Sequence, residues 1–95
     1  MTELVMDAAA WKSDDDFYAS FFEVVGAPDW HGRNFNALRD SIVAGRINKI
    51  EVPYRVVLRN YAKIDAGVKG LTDDFVDLLR ELAREGMPVE VTITL

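Results

Sequence analysis

LTDDFVDLLRELAREGMPVEVTITL, residues 71–95, carries a helix and a strand in immediate succession. Phe75, Leu78, Leu79 and Leu82 recur at helical spacing and form one apolar stripe. Thr72 is the expected N-cap, with Asp73 and Asp74 in the first turn and Leu71 stapled onto Val76 across the cap. Gly86 and Pro88 end the helix. Beyond them the period changes from helical to two: Val89, Val91, Ile93 and Leu95 alternate with Glu90, Thr92 and Thr94, the pattern of a half-buried strand.

Working back along the chain, YRVVLRN (54–60) reads as another strand, and LVMDA (4–8) as a third. Ser13 is placed to cap a helix whose first turn holds Asp14, Asp15 and Asp16, where negative charge suits the helix dipole. Phe17, Tyr18, Phe21, Phe22 and Val25 make its buried stripe, and Gly26 with Pro28 ends it. A further helix starts at an Asn34 cap and runs to about Ala44, with Gly45 as its stop. GRINKIEVP (45–53) is a loop, and YAKIDAGVK (61–69) is ambiguous, with room for one helical turn. Strand, helix, helix, strand, helix, strand predicts a small α/β domain spanning 1–95: a three-stranded, mainly parallel sheet packed with three to four helices. Parallel sheets are normally covered on both faces, so the clean alternation of the last strand predicts one thinly covered face.

Composition narrows the function classes. The 95 residues are 49% hydrophobic, enough for an apolar core without disulfides. Cysteine is absent, which excludes disulfides, thiol nucleophiles and thiolate metal sites. No signal peptide and no membrane-length apolar run occurs, so the expected location is the cytoplasm, away from any membrane. Eleven Lys and Arg against 16 Asp and Glu give a net charge of −5. That sign repels phosphate backbones and favours a basic protein partner over nucleic acid.

No catalytic constellation is present. His31 is the only histidine, so a multi-histidine metal site is impossible, and no phosphate-binding or dinucleotide fingerprint occurs. Neither an enzyme, a cofactor nor a metal is expected. More telling is PDWHGRNFNALRDSI (28–42). Its helix turns Phe35, Leu38 and Ile42 to the core, while Asn36 and Asp40, four residues apart, share the other side among small alanines. Arg33 lies over that side just before the helix, and the preceding turn is expected to display Trp30 and His31. Two arrangements fit: a contact face with an aromatic anchor at its edge, or a solvated face with Trp30 folded back onto the core. On the last helix Asp77, Glu81 and Glu85 form an acidic stripe, with Arg80 and Arg84 placed to pair with it.

PDWHGRNFNALRDSI resembles the motif of the barstar family, with an acidic residue and two aromatics before the GxNxxAL core. LLRELAREG and the final VEVTITL continue the resemblance. It implies a three-stranded parallel α/β fold and an intracellular inhibitor of a secreted ribonuclease such as barnase, which blocks that enzyme's basic active site. Trp30 then matches an aromatic packed against the enzyme, Asp40 the central acid at the phosphate site, and Glu81 a further contact from the last helix. The expected partner-binding set is Trp30, His31, Gly32, Asn34, Asn36, Arg39, Asp40 and Glu81, on a chain that is monomeric when free. The sequence departs from the family at Asn36, Arg33 and Arg39, where one acid is lost and positive charge appears, and in a longer loop from Ala44 to Pro53. These departures keep open an interaction domain of the same fold that binds a non-ribonuclease toxin or a regulatory partner.

Overall fold

The computed structural model describes residues 1–95. β1 (Thr2–Asp7) runs into a short 3-10 turn (Ala8–Ala10), followed by α1 (Asp14–Val25) and α2 (Phe35–Ala44). β2 (Tyr54–Arg59), a second 3-10 turn (Tyr61–Lys63), α3 (Ala66–Arg84) and β3 (Val89–Ile93) complete the chain. The three strands form one sheet in the order β1-β2-β3, parallel throughout. The α/β architecture expected from the element order is thus present.

Alternation along each strand decides where the core sits. Leu4, Met6, Tyr54, Val56, Leu58 and Val89 are buried on one face. Their neighbours Glu3, Val5, Glu90 and Thr92 are exposed, while Arg55 and Val57 are half-buried. The helices therefore cover one face of a parallel sheet and leave the other thinly covered. On that bare face Arg55 bridges two carboxylates in register: Nη1 to Glu3 at 3.0 Å and Nη2 to Glu90 at 2.8 Å. Charge across all three strands makes such a face a poor template for aggregation.

The covered face meets an aromatic cluster. Phe75 of α3 lies edge-on to both Phe17 (5.1 Å between centroids) and Phe21 (5.4 Å) of α1. Trp11, in the link before α1, packs edge-on to Phe17 at 5.3 Å. Each such pair contributes about 0.5–1.5 kcal/mol beyond its buried area. Trp11 belongs to the same cluster of 20 buried residues, a role its position in the link between a 3-10 turn and α1 does not announce.

Helix boundaries follow backbone satisfaction. Gly26 takes the left-handed conformation (φ 66°) and donates back to Glu23 and Phe22, closing α1. A Cβ there would also come within 2.9 Å of the Lys49 Cβ, so glycine serves both the turn and the packing of the next loop. Ser13 stands at the N-cap of α1 without a side-chain bond; instead Asp16 Oδ2 accepts the Lys12 backbone N–H at 2.8 Å. α3 starts at Ala66, capped by Asp65, whose Oδ1 accepts from Gly67 N at 2.8 Å. The expectation of a Thr72 cap stapled by Leu71 and Val76 is thereby corrected. Thr72 lies inside the helix, fully buried, with its hydroxyl donating to Val68 O at 3.0 Å. A second correction concerns the solvent face of α3: Arg80 and Arg84 form no ion pair with Asp77, Glu81 or Glu85, and the only one within the helix joins Lys69 to Asp73. No helix is long and apolar enough to cross a membrane.

Candidate functional site

The turn from Pro28 to Arg33 leaves α1 and delivers the chain to α2. His31 N donates to Pro28 O at 3.0 Å, which closes the turn. Asn34 then caps α2: its Oδ1 accepts from Ala37 N at 2.8 Å. Asn34 is therefore engaged in holding the helix start. Gly32 is exposed, yet its Cα faces the helix start closely. An added Cβ would stand 3.0 Å from Asn34 Nδ2 and 3.4 Å from Ala37 Cβ, so a side chain there would push the turn off the helix.

The two aromatics of the turn differ sharply in burial. Trp30 is 74% exposed, while His31 is 7% exposed. The expectation that both rings are displayed is corrected, as is the alternative with Trp30 folded onto the core. The His31 ring packs on Phe22 of α1, 4.3 Å between centroids with the planes tilted by 40°, and its Nδ1 lies 2.9 Å from Gly32 O. A carbonyl oxygen only accepts, so Nδ1 carries the proton. Nε2 is buried without a partner.

Between this turn and α2 lies a cleft of about 200 Å³, lined by Trp30, His31, Gly32, Ala37, Asp40 and Ile47. Small-molecule sites run to roughly 300–1,000 Å³. This cleft is the size for a single inserted side chain. Ala37, with only a methyl group, forms the helix wall, and Asp40 is the one charged group on the lining. The Asp40 carboxylate is exposed and takes part in no hydrogen bond or ion pair within the chain. Arg33 does not cover it: the guanidinium turns back to α1, where Nη1 sits 3.7 Å from Asp15 Oδ1. Asn36 and Arg39 are exposed on α2 outside the cleft lining, and Glu81 is exposed on α3, also outside it.

Ile47 is the lining residue that sequence reasoning missed. It comes from the loop 45–53, whose shape is fixed by several bonds at once. Glu51 Oε1 accepts from both Ile47 N (3.2 Å) and Asn48 N (3.0 Å). Asn48 Nδ2 reaches Ser41 Oγ on α2 at 3.4 Å, while Lys49 N and Ile50 N donate to Gly26 O and Val25 O at the end of α1. The sequence signal for this was faint: Ile47 is one of three aliphatic residues, with Ile50 and Val52, in the loop. No three His, Asp or Glu side chains converge where a metal ion would sit.

An Asn-capped α2 behind an aromatic turn, in a three-stranded parallel sheet, is the arrangement that the motif at 28–42 implies. The family model described as Barstar (barnase inhibitor) matches residues 1–95, the whole chain. The chain belongs to the Barstar family. No curated protein sequence matches it. Within the Barstar family the fold brings Trp30, His31, Gly32 and Asp40 together around one cleft, leaves Asn34 as a cap, and holds Asn36, Arg39 and Glu81 on neighbouring exposed surface.

Proposed function

We propose that the chain is a cytoplasmic protein inhibitor of a microbial ribonuclease, of the immunity or antitoxin type, and not itself an enzyme. Its contact surface is the outward side of α2 with the turn before it. Trp30 is the aromatic anchor, Asp40 the carboxylate that replaces a substrate phosphate among the enzyme's cations, and Glu81 an outlying contact from α3. His31, Gly32, Asn34, Asn36 and Arg39 complete the surface around these three. The observation that carries this reading is the Asp40 carboxylate, unpaired within the chain and set in the same cleft as the exposed Trp30. A charge held on a helix loses little freedom on binding, and a guanidinium partner would give it bonds it lacks in the free protein. The net charge of −5 favours rapid encounter with a basic enzyme, an effect that salt screens.

Arg39 supports a second reading. It stands exposed and unpaired beside Asp40, so the surface presents both signs of charge. A partner with an acid opposite Arg39, such as a non-ribonuclease toxin or a regulatory protein, suits that pattern. The test is RNA cleavage by a panel of guanyl-specific microbial ribonucleases at rising concentrations of the chain. Stoichiometric loss of cleavage for at least one enzyme supports inhibition. Full cleavage by every enzyme at large excess of the chain rejects ribonucleases of that specificity and favours the second reading.

A further inference from the structure

His31 sits within the surface proposed above, but its polar atoms are not offered to a partner. Nδ1–H is spent on Gly32 O, Nε2 is sealed from solvent, and the ring is stacked on Phe22. Phe22 itself packs against the core of the molecule. By contrast, the Trp30 side chain makes no hydrogen bond and no stacking contact with another ring, and it is largely in solvent. What fixes Trp30 in space is therefore its backbone, and the buried tie of the turn to α1 is made by its neighbour, the Arg33 contact with Asp15 being long and exposed. Three ties converge on His31: the ring stack on α1, the side-chain bond to Gly32 O, and the backbone bond to Pro28 O. Two of them depend on the side chain.

We infer that His31 is a positioning residue: its inward ring ties the 28–33 turn to α1 and so holds Trp30 preorganised over the cleft before any partner arrives. This rests on the reading that Trp30 is a partner anchor. Its physical content is that ordering which would otherwise be lost on binding is already complete in the free protein. The contact with Phe22 is the side-chain tie that reaches α1, because the Nδ1 bond to Gly32 O stays within the turn and Nε2 adds none. A ring of similar size without nitrogens keeps it, whereas a methyl group does not.

The test is ¹⁵N relaxation on the free, full-length chain, read at the amides of residues 29–33 and at the Trp30 indole. The wild-type turn is expected at order parameters of about 0.85, the value of rigid backbone. In His31→Ala those amides are expected below about 0.6, while α1 and α2 keep their values and the chain still unfolds cooperatively. His31→Phe is expected to return the turn to about 0.85. A wild-type turn already below about 0.6 overturns the inference, as does a His31→Ala turn that stays rigid. Should His31→Ala fail to fold, His31→Phe decides, since a mobile turn in that variant contradicts the stack as the tie. The readout needs no ribonuclease, so a failed inhibition assay leaves it standing, and a mobile turn leaves inhibition to be judged on its own.

Discussion

Arg33 reaches back to Asp15 at the start of α1, with Nη1 3.7 Å from the carboxylate oxygen, and forms no ion pair with Asp40. The contact that would neutralise the central acid of α2 is thus made elsewhere. Both partners of the Arg33–Asp15 pair are at least half-exposed, so the pair contributes no more than about 1 kcal/mol. Arg33→Ala is accordingly expected to shift the melting temperature only slightly and to leave the inhibition constant within about threefold of the parent. Thermal denaturation and an inhibition titration check both halves.

Trp30 and His31 separate binding from folding at adjacent positions. Trp30→Ala removes a side chain that is 74% exposed, so stability is expected to stay within about 0.5 kcal/mol. Partner affinity is expected to fall about tenfold or more, as for an aromatic anchor. His31→Phe keeps the stack on Phe22 and deletes the buried, unpartnered Nε2. Relief of that acceptor offsets the lost bond to Gly32 O, so its melting temperature is expected to match or exceed the parent's.

The true start of α3 is testable by substitution at its two candidate caps. Asp65→Ala removes the bond to Gly67 N and is expected to cost about 1 kcal/mol. Thr72→Val keeps the buried shape and loses a hydroxyl bond to a carbonyl that lies inside the helix. A cost clearly below that of Asp65→Ala is expected, measured by urea denaturation of the two variants side by side.

Acid stability is set partly by two surface carboxylates. Asp7 is held below the usual carboxylate range by the Asn60 amide and the Ala9 backbone N–H. Asp73 is held below it by Lys69 and by the Tyr61 hydroxyl. A carboxylate whose folded pKa lies below its unfolded value of about 3.9 stabilises the fold above that pH. The benefit fades as pH falls through the lower folded value. The melting temperature of the parent is therefore expected to drop below about pH 4. Asp7→Asn and Asp73→Asn are each expected to flatten that drop by lowering the neutral-pH melting temperature toward the acid value, which they leave nearly unchanged.

Much of this was legible in the residues themselves. Asn34 and Gly45 bracket α2 because both ends use a local device, a side-chain cap and a stop glycine, that sequence displays. The strands were visible by period, although β1 begins at Thr2, where pairing with Tyr54 extends it past its apolar run. The start of α3 was obscured by Gly67 and Gly70, poor helix formers that left 61–69 ambiguous, although Val68, Leu71, Thr72 and Phe75 already follow helical spacing. The site divides the same way. Asp40 and Trp30 were visible from helical phase and from the motif. The inward ring of His31 and the Ile47 wall were not, because both depend on how a turn or loop folds back onto the helix before it, which no residue period encodes: His31 onto Phe22, and the Glu51-braced loop 45–53 onto α2.

The central claim, that the unpaired Asp40 carboxylate is the charge a ribonuclease binds, is tested most directly by calorimetric titration at low salt. The parent and Asp40→Ala are each titrated into guanyl-specific microbial ribonucleases, with melting temperatures recorded alongside. One-to-one binding by the parent, weakened at least about thirtyfold in Asp40→Ala at an unchanged melting temperature, is the expected result. Equal binding by parent and Asp40→Ala would contradict it.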